Sequence, residues 1–231
     1  MVFSNQSSRP SSLILLFVVF TFFYSSKFVE AKNSSIKPTK NISVPNKKWA
    51  VIDGFRSAKF GMTEKQVTRA IEKDFKLPMS KIKRSVSNLE KTSAMTIKIP
   101  ELFGAGGAAQ ISYIFGHQSK NLSHINIFWG LGVSEKVDAQ GIVEAANLLR
   151  THFNKKRYKE GLVLNTPLTE TSTIVFRGSD KKGRMALILM IAPKPLKDEN
   201  PVDAAKRVSL KLSYVLNPMQ PDVLTVKEGD F

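Results

Sequence analysis

The chain contains no cysteine and only three histidines among its 231 residues. Without cysteine it forms no disulfide and has no thiol nucleophile, and it lacks the acylated cysteine of a bacterial lipoprotein. Its stability must therefore come from an ordinary hydrophobic core. A folded part of about 180–200 residues is long enough to supply one, because a chain of that size buries roughly 70% of the surface that it exposes when unfolded.

Long hydrophobic runs are also scarce. The apolar run at residues 13–24 has twelve residues, whereas about 20 are needed to span a bilayer. It follows a polar leader with Arg9 and precedes Val29, Glu30 and Ala31, a pattern that suits signal peptidase. We therefore predict a signal peptide over residues 1–31 and a periplasmic or secreted protein with no membrane span after cleavage. The alternative is an uncleaved anchor.

Acidic residues are few relative to basic ones. The chain has 35 Lys and Arg against 19 Asp and Glu, and cleavage after Ala31 leaves a formal net charge of +15. Such a surplus favours anionic partners, which include lipid phosphate, nucleic acid, acidic glycans and acidic proteins. The alternative is that the lysines only keep the surface soluble.

Residues 32–48 contain many Lys, Asn, Ser and Pro residues and few apolar ones. This composition predicts a flexible basic arm, because it offers too little apolar surface for a core. The folded part is predicted to cover residues 49–231.

A helix is predicted to begin after Thr63. Thr63 and Gln66 have the spacing of a capping box, and Met62 and Val67 have that of a hydrophobic staple. Apolar residues then recur at helical spacing as far as residues 77–78. A second helix is predicted after Asp138, with one apolar face formed by Ile142, Ala145, Ala146, Leu149 and Phe153.

Three segments with alternating apolar residues follow each predicted helix. These six predicted strands lie near residues 95–99, 111–115, 125–129, 174–176, 185–191 and 208–214. We predict an α+β fold made of two similar helix-plus-three-strand antiparallel units, at about residues 49–133 and 134–231.

The segment Phe60-Gly61-Met62-Thr63, which continues to Val67, resembles the helix start of small Gram-negative envelope proteins. These include the SmpA/OmlA-type outer-membrane assembly lipoproteins and domains with a fold like the β-lactamase inhibitor protein. Segments 111–116, 126–130, 176–180 and 212–214 look like those of uncharacterised exported bacterial proteins. The resemblance implies an envelope location and a tandem arrangement like that of the inhibitor protein. The chain departs from the assembly lipoproteins in lacking their cysteine and in having two predicted units.

No motif in the sequence specifies a reaction. His117 and His124 flank one predicted turn, but no carboxylate or third histidine lies at a metal-site spacing. The segment Gly104-Ala105-Gly106-Gly107 precedes a strand rather than a helix, which favours a flexible hairpin over a phosphate loop. We therefore expect no cofactor and no metal.

Two exposed basic segments are the candidate binding sites. One follows the second predicted helix, and the other is a predicted hairpin turn with flanking strand residues; together they contain Lys155, Lys156, Arg157, Arg177, Lys181, Lys182 and Arg184. Nucleic acid is a weaker prospect, because the aromatic residues lie mainly in predicted strands and no recognition module is present. Trp129 in particular is expected to be buried.

Two hypotheses for function remain. The first is a non-enzymatic interaction module that offers a sheet face and basic tips to an envelope protein or to an anionic surface such as lipid phosphate. The second is an envelope enzyme whose site is assembled from scattered polar residues, with His124, Arg177 and Asp180 as candidates.

Overall fold

A computed structural model describes residues 47–195 and 197–225. The predicted signal peptide and residues 32–46 of the predicted arm lie outside the described residues. No helix in the described ranges is long and apolar enough to cross a membrane.

Within these described ranges, the main element is an eight-stranded antiparallel sheet, accompanied by a two-stranded hairpin, three α-helices and one short 3₁₀ helix (Met79–Lys81). The hairpin is β1 (Gly54–Phe55) and β2 (Ala58–Lys59). The sheet contains β3 (Lys83–Val86), β4 (Ser93–Ile99), β5 (Ala109–Phe115), β6 (Leu122–Trp129), β7 (Val163–Thr169), β8 (Ser172–Ser179), β9 (Met185–Ile191) and β10 (Ser209–Val215). The α-helices are α1 (Glu64–Phe75), α2 (Ala139–Asn154) and α3 (Pro201–Ala205). The predicted α+β class is confirmed.

The strand order is β3-β4-β5-β6-β10-β9-β8-β7. Strands β6 and β10 pair at the centre, where Ile127 lies opposite Leu212. The structure adds β3 and β7 to the six strands predicted, so four strands follow α1 and four follow α2. Both additional strands lie at the edges of the sheet.

Helix α1 begins as predicted. The Thr63 side chain accepts from the Gln66 backbone N–H, and the Thr63 N–H donates to Gln66 Oε1 at 2.9 Å, which completes the capping box. The helix ends at Phe75, earlier than predicted, because Lys76 adopts a left-handed conformation with φ of 56°. The apolar spacing through residues 77–78 therefore continues beyond the helix itself.

Helix α2 also begins at its predicted cap. The Gly141 N–H donates to Asp138 Oδ1 at 2.9 Å. The five residues of its predicted apolar face are all buried. Both α1 and α2 pack on one face of the sheet, since Thr68 of α1 contacts Met95 and Phe153 of α2 stacks on Phe176.

The hydrophobic core of the described residues lies between these helices and the sheet. Trp129 is fully buried in it, as predicted. The glycine-rich segment before β5 packs against this residue, because a Cβ on Gly106 would lie 3.0 Å from the Trp129 ring and 3.2 Å from Ala145. Gly106 also has a φ of 80°, so both its backbone and its surroundings favour glycine.

The opposite face of the sheet carries a polar row across its centre. Thr96, Ser112, Asn126 and Ser213 lie side by side in register. Thr96 and Ser112 form a hydrogen bond of 3.0 Å, and the Ser213 hydroxyl donates to Asn126 Oδ1 at 2.7 Å. The eight strands contain no aspartate or glutamate, so the sheet contributes no carboxylate to this face.

Candidate functional site

Trp49 lies in a short extended segment at the start of the described chain. Residues 49–52 alternate in burial, with Ala50 and Ile52 buried while Trp49 is partly exposed and Val51 is 71% exposed. Such alternation is what an extended backbone produces when one of its sides faces a core. The segment therefore directs Trp49 and Val51 outward.

Hydrogen bonds fix this segment to two distant parts of the chain. The Ala50 N–H donates to the Arg157 carbonyl at 2.8 Å, and the Arg157 N–H donates to the Lys48 carbonyl at 2.9 Å. The Ile52 N–H donates to Asp180 Oδ2 at 3.0 Å. The segment thus bridges the loop after α2 and the β8–β9 turn.

Two cations lie over the Trp49 indole. The Arg157 guanidinium carbon is 4.4 Å from the ring centroid, and the Lys181 Nζ is 4.8 Å from it. A cation in such a position is attracted by the negative face of the ring, an interaction worth about 0.5–1 kcal/mol when it is exposed to solvent. Trp49 therefore brings together two basic segments that are separate in the sequence.

We call the resulting surface the Trp49 patch. It consists of Lys47, Lys48, Trp49, Lys155, Lys156, Arg157, Lys159, Lys181 and Lys182, and all eight cations are exposed. None of these cations forms an ion pair within the described part of the chain. Glu160 lies beside them in an open cleft lined by Trp49, Tyr158 and Lys159. The patch is thus strongly positive and open to solvent.

Arg184 has a different place from the other predicted cations. Its guanidinium binds Asp180 Oδ2 at 2.7 Å, and the two side chains are only 14% and 2% exposed. The backbone N–H groups of Lys182 and Arg184 also donate to Asp180 Oδ1. Arg184 therefore stabilises the turn from within, and we exclude it from the exposed patch.

The Asp180 carboxylate is stabilised in its charged form. Burial acts to raise its pKa, but hydrogen bonds from the Ile52 N–H and from Arg184, together with the Arg184 charge, outweigh burial and lower the pKa below its ordinary value. Asp180 is accordingly an ionised structural group that holds residues 52 and 184 in place.

Arg177, the remaining predicted binding residue, lies within β8 between Val163 of β7 and Leu187 of β9. The structure therefore brings five of the seven predicted residues into the patch: Lys155, Lys156, Arg157, Lys181 and Lys182. It adds Trp49 and the cations Lys47, Lys48 and Lys159, which sequence reasoning did not select. The sequence feature that could have indicated this patch is the lysine pair directly before Trp49.

The polar residues proposed for an enzyme site do not converge. His124 of β6 lies in the same row as Ser179 of β8, three strand spacings away, which is about 14 Å. The oxygens of Asp180 are already occupied by its partners in the turn. Within the described ranges, no three His, Asp or Glu residues form a group that could hold a metal ion.

His124 is neutral in the folded protein. Burial, supported by the positive charge of Lys211, lowers the pKa of its imidazole to about 4. Its Nε2 atom is buried and has no hydrogen-bond partner in the described structure. We therefore expect this ring to make folding sensitive to acid.

Comparison with protein families, with curated proteins and with solved structures finds no match to this chain. Function must therefore be inferred from the geometry of the Trp49 patch.

Proposed function

We propose that this protein is an exported, non-enzymatic interaction module of the bacterial envelope that binds an anionic partner through the Trp49 patch. The observation that carries this proposal is the position of Arg157 and Lys181 over one indole. Export is supported by the pattern of residues 1–31 described above.

The grouping of the cations favours binding over a purely solubilising role. Cations that only keep a protein soluble can be dispersed, and dispersion avoids the repulsion between like charges. Here Arg157 and Lys181 lie over the Trp49 ring, and six further exposed cations lie within two positions of Trp49, Arg157 or Lys181 along the chain. Glu160 is the exposed carboxylate in the adjoining cleft. Such a surface attracts anions and accelerates their encounter with the protein.

We further propose that the domain consists of two similar units, at about residues 49–133 and 134–231, in an arrangement like that of the β-lactamase inhibitor protein. The order of elements supports this, since α1 precedes β3–β6 and α2 precedes β7–β10. The last strands of the two sets, β6 and β10, are the pair that joins them.

The function is tested with two triple variants that have the same net charge. Lys155→Gln, Lys156→Gln and Lys182→Gln neutralise the patch, whereas Lys65→Gln, Arg69→Gln and Lys73→Gln neutralise exposed cations of α1. At roughly 0.5–1 kcal/mol for each lost charge contact, the patch triple should bind inorganic polyphosphate about tenfold more weakly or worse. Its binding should also depend less on salt.

The α1 triple should change affinity by no more than about twofold, because its three residues are not part of the patch and salt screens exposed charges. Isothermal titration at two salt concentrations measures both effects. An equal loss of affinity in the two triples would show that net charge alone is responsible, and it would contradict the assignment of the patch.

A further inference from the structure

We infer that the anionic partner is a membrane surface that bears anionic phospholipid, and that Val51 enters its headgroup region. This inference rests on the proposed function, because it names the partner of the same patch. It adds an apolar contact to the electrostatic one.

Val51 is held in a position suited to this contact. The residues on either side of it are fixed, because the Ala50 N–H bonds to the Arg157 carbonyl and the Ile52 N–H bonds to Asp180. With both neighbours buried, the Val51 side chain projects outward and is 71% exposed. Along the backbone, Val51 thus lies between a residue bonded to the loop that carries Lys155–Arg157 and a residue bonded to the turn that carries Lys181 and Lys182.

The charge around Val51 suits an anionic lipid surface. Each Lys or Arg held near such a surface contributes about 1 kcal/mol of attraction, and the patch contains eight cations. Peripheral proteins bind anionic membranes by combining charge attraction with the insertion of apolar side chains. The Trp49 patch and Val51 offer this combination.

The shape of the patch favours a membrane surface over a free phosphate. A small anion is normally bound in a concave site, but the cleft beside Trp49 is open. Val51 protrudes from the surface and would contribute nothing to binding a free phosphate. A headgroup layer accommodates a protruding apolar residue and a half-buried indole together.

Tryptophan fluorescence provides a direct readout, because the chain has only two tryptophans. Trp129 is fully buried and Trp49 is partly exposed. Vesicles of phosphatidylglycerol and phosphatidylcholine should shift the emission to shorter wavelength, whereas phosphatidylcholine vesicles should not. The Trp49→Phe variant should lose this shift, while its remaining emission comes from Trp129.

Val51→Ser tests the apolar contact separately from the charge. It should weaken binding to the anionic vesicles about fivefold to tenfold, as expected for withdrawing one valine from an apolar environment. Its affinity for inorganic polyphosphate should change by less than about twofold, since no charge is removed. Leu89→Ser is the matched control, because Leu89 is 81% exposed. It follows β3, which lies at the opposite end of the strand order from β8 and β7.

The outcomes separate this inference from the proposed function. Unchanged vesicle binding in Val51→Ser, or equal weakening in Leu89→Ser, would overturn the role of Val51. Binding to polyphosphate or to poly-glutamate without binding to anionic vesicles would overturn the lipid partner and leave the proposed function standing. If the unmodified protein binds none of these three probes, both this inference and the proposed function are overturned.

Discussion

Asp180 joins two distant parts of the chain, the segment at Ile52 and its own β8–β9 turn, through one carboxylate. It accepts hydrogen bonds from the Ile52 N–H, from the backbone of its own turn and from the Arg184 side chain. A buried carboxylate is stable only when such partners satisfy it. The position of Lys181 over Trp49 therefore depends on a residue that does not itself face solvent.

Replacing Asp180 with alanine should lower the free energy of unfolding by about 3–5 kcal/mol, because it leaves the Arg184 charge buried without its partner. Urea denaturation measures this loss. Asp203→Ala is the control, since its ion pair with Lys206 is about half exposed and should contribute at most about 1 kcal/mol. Similar losses in both variants would contradict a structural role specific to Asp180.

At the same scale, the sequence identified charged residues but not their roles. Lys155, Lys156 and Lys182 could be predicted as exposed cations because they lie in polar segments between apolar ones. Arg184 has the same composition around it, yet it is paired and mostly buried. The difference arises from the carboxylate and backbone groups that folding brings near it, and one-dimensional spacing does not contain that information.

At the scale of elements, local signals predicted the starts of helices well. The caps at Thr63 and Asp138 bond to backbone groups within the next turn, so their interactions are encoded in a few adjacent residues. Strands β3 and β7 were missed. All four residues of β3 and five of the seven in β7 are exposed, so neither shows the alternation that marks a half-buried strand.

The Thr63 cap gives a prediction for α1. Thr63→Ala removes the hydroxyl that accepts from the Gln66 N–H and should cost about 0.5–2 kcal/mol of stability. Thr151→Ala should be neutral or slightly stabilising, because Thr151 is exposed within α2 and alanine has the higher helix propensity. Thermal unfolding of the two variants compares them. A loss in Thr151→Ala as large as that in Thr63→Ala would contradict the capping assignment.

For the whole molecule, the α+β class followed from the order of helical and alternating segments. The pairing of β6 with β10 did not, because it joins residues that are more than 80 positions apart, such as Asn126 and Ser213. The same limit applied to the candidate site. Its cations were visible in the sequence, but the indole that gathers them became apparent only from tertiary contacts.

The stability of the whole molecule should depend on pH through His124. Its folded pKa of about 4 lies below the unfolded value of about 6.5, so the unfolded chain takes up the proton first. Stability should therefore fall as the pH decreases from about 6.5 towards about 4. Urea midpoints across this window should fall less in His124→Gln than in the unmodified protein.

His152→Gln is the control for this titration, because His152 is exposed at the end of α2. Asp180 acts in a different pH range. Because its pKa is lowered in the folded protein, its contribution to stability is complete above about pH 3.9 and is lost only as the pH falls below that value. Equal flattening of the pH profile in both histidine variants would contradict the assignment to His124.

The hydrogen bond from Ile52 to Asp180 joins residues 128 positions apart. As synthesis proceeds, the segment that carries Trp49 leaves the ribosome well before the turn to which it binds. A nascent chain that ends before Lys181 already contains Lys155, Lys156 and Arg157, but it lacks the second cation over the indole. The gathered charge is therefore a property of the completed domain, because a chain that ends before Lys181 has the earlier lysines and Arg157 but not the surface that all eight cations form together.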